Sequence, residues 1–466
     1  MSIDISGRDA KLETASVKIC VTRDHPLVRL ANALPWPALI DLAVVDIKAT
    51  TAKNFWWLGR KIRVRIHLGA YILGKLYDLT DRETEYGLKD NAAYQVFCGL
   101  GIVRGWHAPD HTKIEEFRSR LFPETQRQIA NYMTKVAVHL GFGDPAETDF
   151  DSTVQEANIA YPTDASLLVK LSGLGAKLLN YLKRKTRGLL PAGGLAIDLA
   201  GIKKRARGYF FSPKSGGIDK RHAALRELHR YVKSEMRPLV GLCRQLDLQR
   251  FGKMPWNIRR CVATIGGESW RYLLDVAHFL RTRSIKAGKI LSLHARAVAC
   301  IKKGKAGKEL EFGRVFQLGR IKGNFLFASR ATSLRMADKQ AMPALLSEHA
   351  SLFGTGCLLS AAADKGYYSR GNIKSLKFGQ VVEIGIEGPR TTKNDMGTVK
   401  GEALARLKDR RAGIEPMIGH AKHGGQLGRS RMKSDTATLA AGYGSVLGLN
   451  LRQMIRHQAG KMKEVA

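Results

Sequence analysis

Residues 148–159, TDFDSTVQEANI, are where the chain changes from helical to strand-forming. The stretch is partly β-branched and alternates polar with apolar residues, which predicts a strand. Residues 25–140 before it carry apolar residues at helix spacing, and strand patterns return from about residue 290. The sequence therefore predicts an α/β fold: a mixed sheet core that a large helical insertion interrupts and an all-α domain precedes.

The chain divides into four predicted segments. An N-terminal tail, residues 1–24, leads into a helical N-terminal domain over residues 25–140. The α/β core is assembled from residues 145–164 and 290–466, and the intervening residues 165–289 form a basic helical insertion.

The composition is strongly basic. The 466 residues contain 77 Lys+Arg against 41 Asp+Glu, which gives a formal net charge of +36 and predicts a polyanionic partner, nucleic acid above all. There is no 18-residue apolar run and no secretory signal, so we expect no membrane partner and a cytoplasmic location. The six cysteines are scattered without a C-x-x-C pair, which disfavours a zinc site or a disulfide framework.

Most of this charge lies in and just beyond the insertion. Residues 165–308 contain 32 Lys+Arg and 7 Asp+Glu, which is +25 of the total +36. Charge runs are commonly solvated helix faces, but an excess of this size repels itself without a counter-charge. Trp256 and Trp270 in the same block offer stacking surfaces for a displaced base, although core packing is the favoured interpretation of each.

Three acids occupy positions suited to metal-dependent phosphoryl transfer. Asp151 lies on the predicted strand, Asp364 follows the strand-like run GCLLSAAADKG, and Glu415 lies in RRAGIEPMIGHAK. At about 100° per residue, Arg411, Glu415 and Lys422 share one face of a helix. Carboxylates are ligands that Mg²⁺ prefers, and two such ions activate a nucleophile and stabilise a leaving oxygen in an in-line displacement. Arg411 and Lys422 would position the scissile phosphate.

Each acid also has an ordinary structural interpretation. Asp149 points to the same face of the strand as Asp151, so register leaves the two as competing candidates. Asp364 suits a simple turn, and Glu415 suits an i, i+4 surface ion pair. Pro416 disfavours helical geometry at Glu415 and moves the expected helix start towards residue 416.

The residues around these acids resemble bacterial insertion-sequence transposases of the DDE class, in the family numbered five. The resemblance covers nearly the whole chain. Its main motifs are DSTVxEANIxYPTD (151–164), KGKAGKxxEFG (303–313), DKGYYS (364–369) and RxxxEPxIGHxK (411–422). Further matches lie at 77–84, 94–99 and 110–118 in the helical domain, and at 427–433 and 450–452 near the C-terminus.

The resemblance implies an RNase H-like catalytic core whose metal-binding triad is Asp151, Asp364 and Glu415. Mg²⁺ is the implied cofactor, with Mn²⁺ as a substitute. Double-stranded DNA is the implied partner, bound by the helical N-terminal domain and by basic residues of the catalytic core. Those basic residues are Arg411, Lys422, Lys365, Arg429 and Arg431.

The implied activity is transposition: cutting DNA at terminal inverted repeats and joining the ends to target DNA, by a homodimer or larger assembly in a bacterial nucleoid. Two alternatives are an RNase H-like nuclease without strand transfer and a DNA-binding protein whose transposase chemistry has lapsed. Three residues depart from the family pattern. Lys408 replaces a frequent Tyr, Lys365 replaces a frequent Arg, and Asp338 stands alone in a segment usually richer in Asn, Pro and Asp.

Overall fold

The chain folds as two compact units. A computed structural model describes residues 3–4, 11–12, 21–50, 60–99, 108–185, 194–212, 218–245, 254–305, 308–331, 336–388 and 398–465. The first unit comprises Met1–Gln155, Val315–Ser430 and Thr436–Ala466. The second unit comprises Glu156–Arg314 and Arg431–Asp435.

The strands of the described residues are few and mostly short. They are β1 (Ile3–Asp4), β2 (Lys11–Leu12), β3 (Asp144–Glu156), β4 (Ala299–Lys305), β5 (Lys308–Lys322), β6 (Phe325–Ala328), β7 (Ser360–Ala363) and β8 (Glu383–Gly385).

Helices make up most of the remaining structure. In the first unit they are α1 (Pro26–Ala33), α2 (Trp36–Ala49), α3 (Arg60–Leu76), α4 (Asp81–Asp90), α5 (Ala92–Phe97), α6 (His111–Arg120) and α7 (Pro123–His139). The second unit contains α8 (Asp164–Lys185), α9 (Leu199–Phe210), α10 (Ile218–Gln245), α11 (Trp256–Ala263) and α12 (Ser269–Thr282). The first unit then continues with α13 (Asp338–Phe353), α14 (Arg370–Phe378), α15 (Gly401–Ala412), α16 (Ile414–His423) and α17 (Asp435–Val465).

The main sheet is mixed. Among the described residues its six strands follow the order β4-β5-β3-β7-β8, with β6 beside β5. β5 is antiparallel to both β4 and β6, whereas β7 is parallel to both β3 and β8. Because α13 lies between β6 and β7 and α14 between β7 and β8, helices carry the chain across the sheet. The predicted mixed α/β class is confirmed.

β3, the first strand of the main sheet in chain order, begins and ends slightly earlier than the predicted stretch 148–159. β3 starts at Asp144 and ends at Glu156, and the side chains of Phe150 and Val154 are buried. β7 is a run of Ser and Ala that is buried along its whole length, because neighbouring strands flank it on both sides. Small side chains at β7 therefore let the adjacent layers pack closely on the sheet.

The N-terminal helices share the core of the first unit. Leu30, Leu68 and Phe97 belong to the same buried cluster as Phe327 and Leu447. These helices and the strands of the first unit thus share one hydrophobic core. The division of the chain into the four predicted segments stays a prediction.

The second unit has a separate helical core. Leu171, Leu228 and Tyr272 are fully buried within it. Trp270 packs half-buried against this core, with Lys233 Nζ 5.4 Å from the centroid of its ring. The side chain of Trp256 lies outside the described residues.

The described helices differ from a membrane span in length or in hydropathy. No single helix among them is long and apolar enough to cross a bilayer. α1 and α2 meet that criterion only when taken together, and they are bent by 72° at the break between them.

Candidate functional site

Two of the predicted acids lie side by side at the sheet. Phe150 on β3 is paired in register with Ala363 at the end of β7, so the next positions on the two strands are Asp151 and Asp364. Neighbouring strands are about 4.8 Å apart. The carboxyl end of β7 therefore presents Asp364 next to Asp151, in the crevice where α/β sheets commonly place their ligands.

Asp149 has very different surroundings from Asp151. Its carboxylate is almost fully buried and accepts hydrogen bonds from two guanidinium groups, with Arg320 Nη2 2.5 Å from Oδ2 and Arg410 Nε 2.9 Å from Oδ1. Both its oxygens are thus occupied by structural ion pairs. Asp151 is less buried, with a side chain 19% exposed, and has an oxygen facing Arg411. The geometry favours Asp151 over Asp149 as the acid that can reach a ligand.

The pKa of Asp151 is raised by burial and, to a smaller extent, by nearby negative charge. Burial is the largest cause that raises its pKa above the ordinary value of 3.8, and the Asp364 and Asp338 carboxylates raise the pKa further. The Ser152 amide, 2.7 Å from Oδ1, and the guanidinium of Arg411, 3.5 Å from Oδ2, both lower it. Several acids in a partly desolvated place with one nearby cation favour the binding of a further positive charge.

Asp338 is a third acid at this place, and it was noted in the sequence only as a departure from the family pattern. It is the first residue of α13, and Gln317 Nε2 donates to its Oδ1 at 3.0 Å. An added Cβ at Gly366 would lie 2.9 Å from Asp338 Oδ2, so Asp338 sits directly against the turn that follows Asp364.

A buried tyrosine completes this arrangement. Tyr367 is fully buried, and its hydroxyl donates to Gln317 Oε1 at 2.5 Å. Burial raises the pKa of Tyr367 well above its ordinary value of 10.0, and the Asp338 and Asp151 carboxylates raise it further. The hydroxyl consequently keeps its proton, and the chain Tyr367–Gln317–Asp338 ties the turn after Asp364 to the start of α13.

The sequence left open a helix face shared by Arg411, Glu415 and Lys422 and a helix start near Pro416, and the structure is closer to the second. α15 ends at Ala412 and α16 begins at Ile414, so Arg411 lies in the last turn of one helix and Glu415 in the first turn of the next. Pro416 does not delay the helix start, because proline is tolerated in the first turn, where backbone N–H groups have no helical acceptor. The face shared by the three residues on an ideal helix is therefore not present as such.

The break between the helices is held by Arg320. Its Nη2 donates to the Arg410 carbonyl oxygen at 2.5 Å, which satisfies an acceptor at the end of α15. An added Cβ at Gly413 would collide with the Arg320 guanidinium, so a larger residue there would displace that group from its contacts. Arg410 in turn donates to Ser360 Oγ at 2.9 Å, which fastens α15 to β7.

The remaining predicted basic residues differ in their placement. Lys365 directly follows Asp364 and is exposed, Lys422 is half-buried on α16, and Arg429 is exposed in the first unit. Arg431 is exposed and belongs to the second unit. Lys408, where the family pattern frequently has Tyr, forms a surface ion pair with Glu387 at 3.1 Å.

The structure thus brings Asp151, Asp364 and Arg411 together and adds Asp338. Glu415 is exposed at the start of α16. Among the residues that the structure describes, no three His, Cys, Asp or Glu side chains converge closely enough to form a metal site by themselves. Sequence reasoning missed Arg320, Gln317 and Arg410, because nothing in their local sequence marks a partner far along the chain.

Comparisons with known proteins indicate the biological setting. Residues 15–120 match the family model described as Transposase domain (DUF772). The chain is also 28% identical over 148 residues to a Rhizobium meliloti protein described as uncharacterized protein ORF8 in nfe locus, which covers 31% of this chain and 68% of that protein. No solved structure matches the chain. These similarities support a transposase family for this protein.

Proposed function

We propose that this protein is a DNA transposase of the DDE class that cuts at terminal inverted repeats and joins the freed ends to target DNA. The observation that carries the proposal is the position of Asp151 on β3 beside Asp364, which directly follows the adjacent parallel strand β7, with Arg411 3.5 Å from Asp151. This arrangement occurs in a chain whose residues 15–120 are similar to a transposase domain.

The proposed catalytic core is RNase H-like. Support comes from the sheet, in which β5 and β6 form an antiparallel pair beside β3, and β7 and β8 then extend it in parallel through helical crossovers. Asp151 and Asp364 lie where β3 has a parallel neighbour on one side and β5 on the other. Sheets of this class commonly place their ligands at the strand ends beside such a change of connection.

The acids fit a divalent cation of the Mg²⁺ type. Mg²⁺ commonly takes only one or two protein carboxylates and completes its shell with water and phosphate oxygens, so Asp151 and Asp364 meet its needs. When bound there, Mg²⁺ (or Mn²⁺) would supply activation of an attacking water or 3′-hydroxyl and stabilisation of the departing oxygen. The pKa of Asp151 is raised first by burial and then by the Asp364 and Asp338 carboxylates, and a cation bound there would stabilise its charge.

The chain's own residues supply the positioning. Arg411 lies in the last turn of α15 and forms an ion pair with Asp151. Its guanidinium has a fork of N–H donors that matches two phosphate oxygens. Lys365, exposed beside Asp364, adds a second cation for the same backbone. Glu415 is proposed as the third acid.

Strand cleavage is the first test. We expect the full chain to cut a duplex carrying one end of its element in the presence of Mg²⁺, and Asp364→Asn to abolish cutting while retaining DNA binding. Asp90→Asn, which removes a negative charge from an exposed position at the end of α4, is the matched control and should cut as wild type does. Equal cutting by wild type and Asp364→Asn would eliminate the assigned pair.

Strand transfer is the second test, because joining distinguishes a transposase from a nuclease. A pre-cut element end with a free 3′-hydroxyl is incubated with a supercoiled target, and covalent joining is scored. Cutting without joining would identify the nuclease alternative. Sequence-specific binding with neither reaction would identify a lapsed transposase. Joining two ends also calls for a homodimer or larger assembly, which sedimentation of the protein–DNA complex would detect.

A further inference from the structure

One helix of the second unit presents cations and exposed aromatic rings on the same surface. Lys203, Lys204 and Arg207 on α9 are all exposed. Phe210 at the end of the helix is 49% exposed, and Phe211, its C-cap, is 83% exposed. We call these five residues the α9 stripe.

Helical spacing places the members of the α9 stripe together. Phe211 retains helical backbone angles, with φ −87° and ψ −3°, and its N–H donates to the Arg207 carbonyl at 2.9 Å. At about 100° per residue, Lys204, Arg207 and Phe211 lie within roughly 60° of one another around the axis. Lys203 and Phe210 lie further round on the same side, so the five residues span roughly 120° around the helix.

The opposite side of α9 is anchored. Ile202 and Ala206 are buried in the core of the second unit. Arg205 is directed inwards, 3.2 Å from Glu227 and with its guanidinium 3.8 Å from the centre of the Tyr231 ring. At the helix start, the Asp198 side chain accepts from the Gly201 amide at 2.8 Å. The α9 stripe is thus displayed on a fixed helix.

The combination of charges and rings has a specific chemical meaning. A phenylalanine exposed to 83% presents most of its ring to solvent, where a base can stack on it. The adjacent cations require an anionic partner. DNA supplies phosphates next to flat base faces, and those faces become available when a base is unpaired or a step is unstacked.

We propose that the α9 stripe binds distorted DNA, with Phe211 and Phe210 stacking on an unpaired or unstacked base and Lys203, Lys204 and Arg207 contacting the flanking phosphates. The inference rests on the proposed function in taking DNA as the partner. It adds a site that recognises the deformation of the duplex, distinct from the acids that would carry out the chemistry.

The test compares two duplexes of one sequence, one fully paired and one with a single internal mismatch, using the full chain. Wild type should bind the mismatched duplex more tightly. Phe210→Ala/Phe211→Ala should lose roughly tenfold to hundredfold affinity for the mismatched duplex, the range for one lost base stack, with little change for the paired duplex. The slope of log affinity against log salt should stay as in wild type.

Charge variants give the complementary result. Lys204→Gln/Arg207→Gln should weaken binding to both duplexes by the same factor and reduce the salt slope by about one per cation. Phe378→Ala, at a 93% exposed ring that ends α14, is the matched control for losing an exposed phenylalanine and should leave the mismatch preference intact.

The inference is overturned if the Phe210/Phe211 variant keeps the mismatch preference, or if Phe378→Ala loses it equally. It is also overturned if the phenylalanines matter only for binding vesicles of phosphatidylserine and phosphatidylcholine, which would make a membrane the partner. A mismatch preference without strand cutting would uphold the α9 stripe and refute the proposed function, so the two failures are distinguishable. Thermal unfolding verifies that each variant is folded.

Discussion

The two units use the same cationic residue types in opposite ways. In the first unit, Arg320 and Arg410 converge on the buried Asp149, and both guanidinium groups are largely withdrawn from water. In the second unit, Lys203, Lys204 and Arg207 are exposed along one helix. Arg320 and Arg410 therefore set geometry, whereas Lys203, Lys204 and Arg207 are cations that we propose contact a polyanion.

The physical basis of the difference is solvation. A buried charge pair is tolerable only when its partners are positioned well, so it constrains the elements that carry it. Exposed cations lose little by remaining in water and are screened over a Debye length of about 8–10 Å at ordinary salt. Such cations contribute to binding by releasing counterions from DNA, and contribute little to holding the fold.

Salt should produce the largest effect. If 6–10 cations contact phosphates, affinity for duplex DNA falls by about 10³–10⁵-fold between 50 and 200 mM salt. Lys203→Gln should reduce the slope of log affinity against log salt by about one. Lys322→Gln, which removes a cation 2.7 Å from Glu147 in the first unit, should reduce it less. Equal reductions, measured by fluorescence anisotropy, would abolish the contrast between the units.

Loss of the buried ion pair between Arg410 and Asp149 should have the second-largest effect. Arg410→Ala leaves Asp149 short of one partner and removes the contact to Ser360, so we expect the free energy of unfolding to fall by about 3–5 kcal/mol. Urea denaturation measures it. Arg406 is an exposed arginine on the same helix as Arg410, and it pairs with Glu383 of β8. Arg406→Ala should lower the free energy of unfolding by at most about 1 kcal/mol. Similar costs for both variants would show that Asp149 is not a structural centre.

Substitution of Arg411, next to Arg410, should reduce DNA cutting strongly and leave stability almost unchanged. Arg411→Gln removes the cation beside Asp151, and we expect the rate of DNA cutting to fall by about 10²–10³-fold, as on removal of one stabiliser of transition-state charge. Its melting temperature should remain close to that of wild type. A large loss of stability with proportionate loss of cutting would instead assign Arg411 to the same structural role as Arg410.

The link through Gln317 should have a smaller effect. Gln317→Leu leaves the Tyr367 hydroxyl and the Asp338 carboxylate without this partner, and the expected loss is about 1–3 kcal/mol of unfolding free energy. Tyr367→Phe removes the hydroxyl at one end of the same chain. The double variant should therefore lose less than the sum of the two single losses, whereas strict additivity would show that the contacts are independent.

The smallest expected effect is a gain in stability. The pKa of Asp151 is raised in the folded protein, so its ionised form opposes folding, and the penalty is present above the folded pKa. Asp151→Asn should therefore increase the free energy of unfolding at pH 7 relative to wild type. The difference should shrink as the pH falls through the folded pKa towards 3.8, the ordinary value. A variant less stable than wild type at pH 7 would contradict this assignment.

Local patterns were sufficient to predict much of the fold. Alternation in residues 148–159 indicated a strand, and β3 covers most of that stretch. The long strand-like pattern from residue 290 was less accurate, because β4 begins only at Ala299. A short apolar run predicts a strand only if a neighbour is available for pairing, and that neighbour is set by tertiary structure.

The candidate site was only partly accessible to sequence. Asp151 and Asp364 were identified from their strand contexts, and the register of β3 and β7 places them side by side. Asp338 could be listed but not located, because its approach to Asp151 depends on the start of α13 and on Gln317. Pro416 indicated a helix start near residue 416, but the break falls at Gly413, because the arginine that holds it comes from β5.

By itself, the sequence determined the α/β class, the basic character of the chain, and the acids that end or follow strands, because these depend on local pattern and on composition. Only the tertiary structure decided that Asp149, rather than Asp151, has both carboxylate oxygens in buried ion pairs. Its partners Arg320 and Arg410 lie 171 and 261 residues away in the sequence. Contacts across such distances are chosen by packing and desolvation, and no local periodicity encodes them.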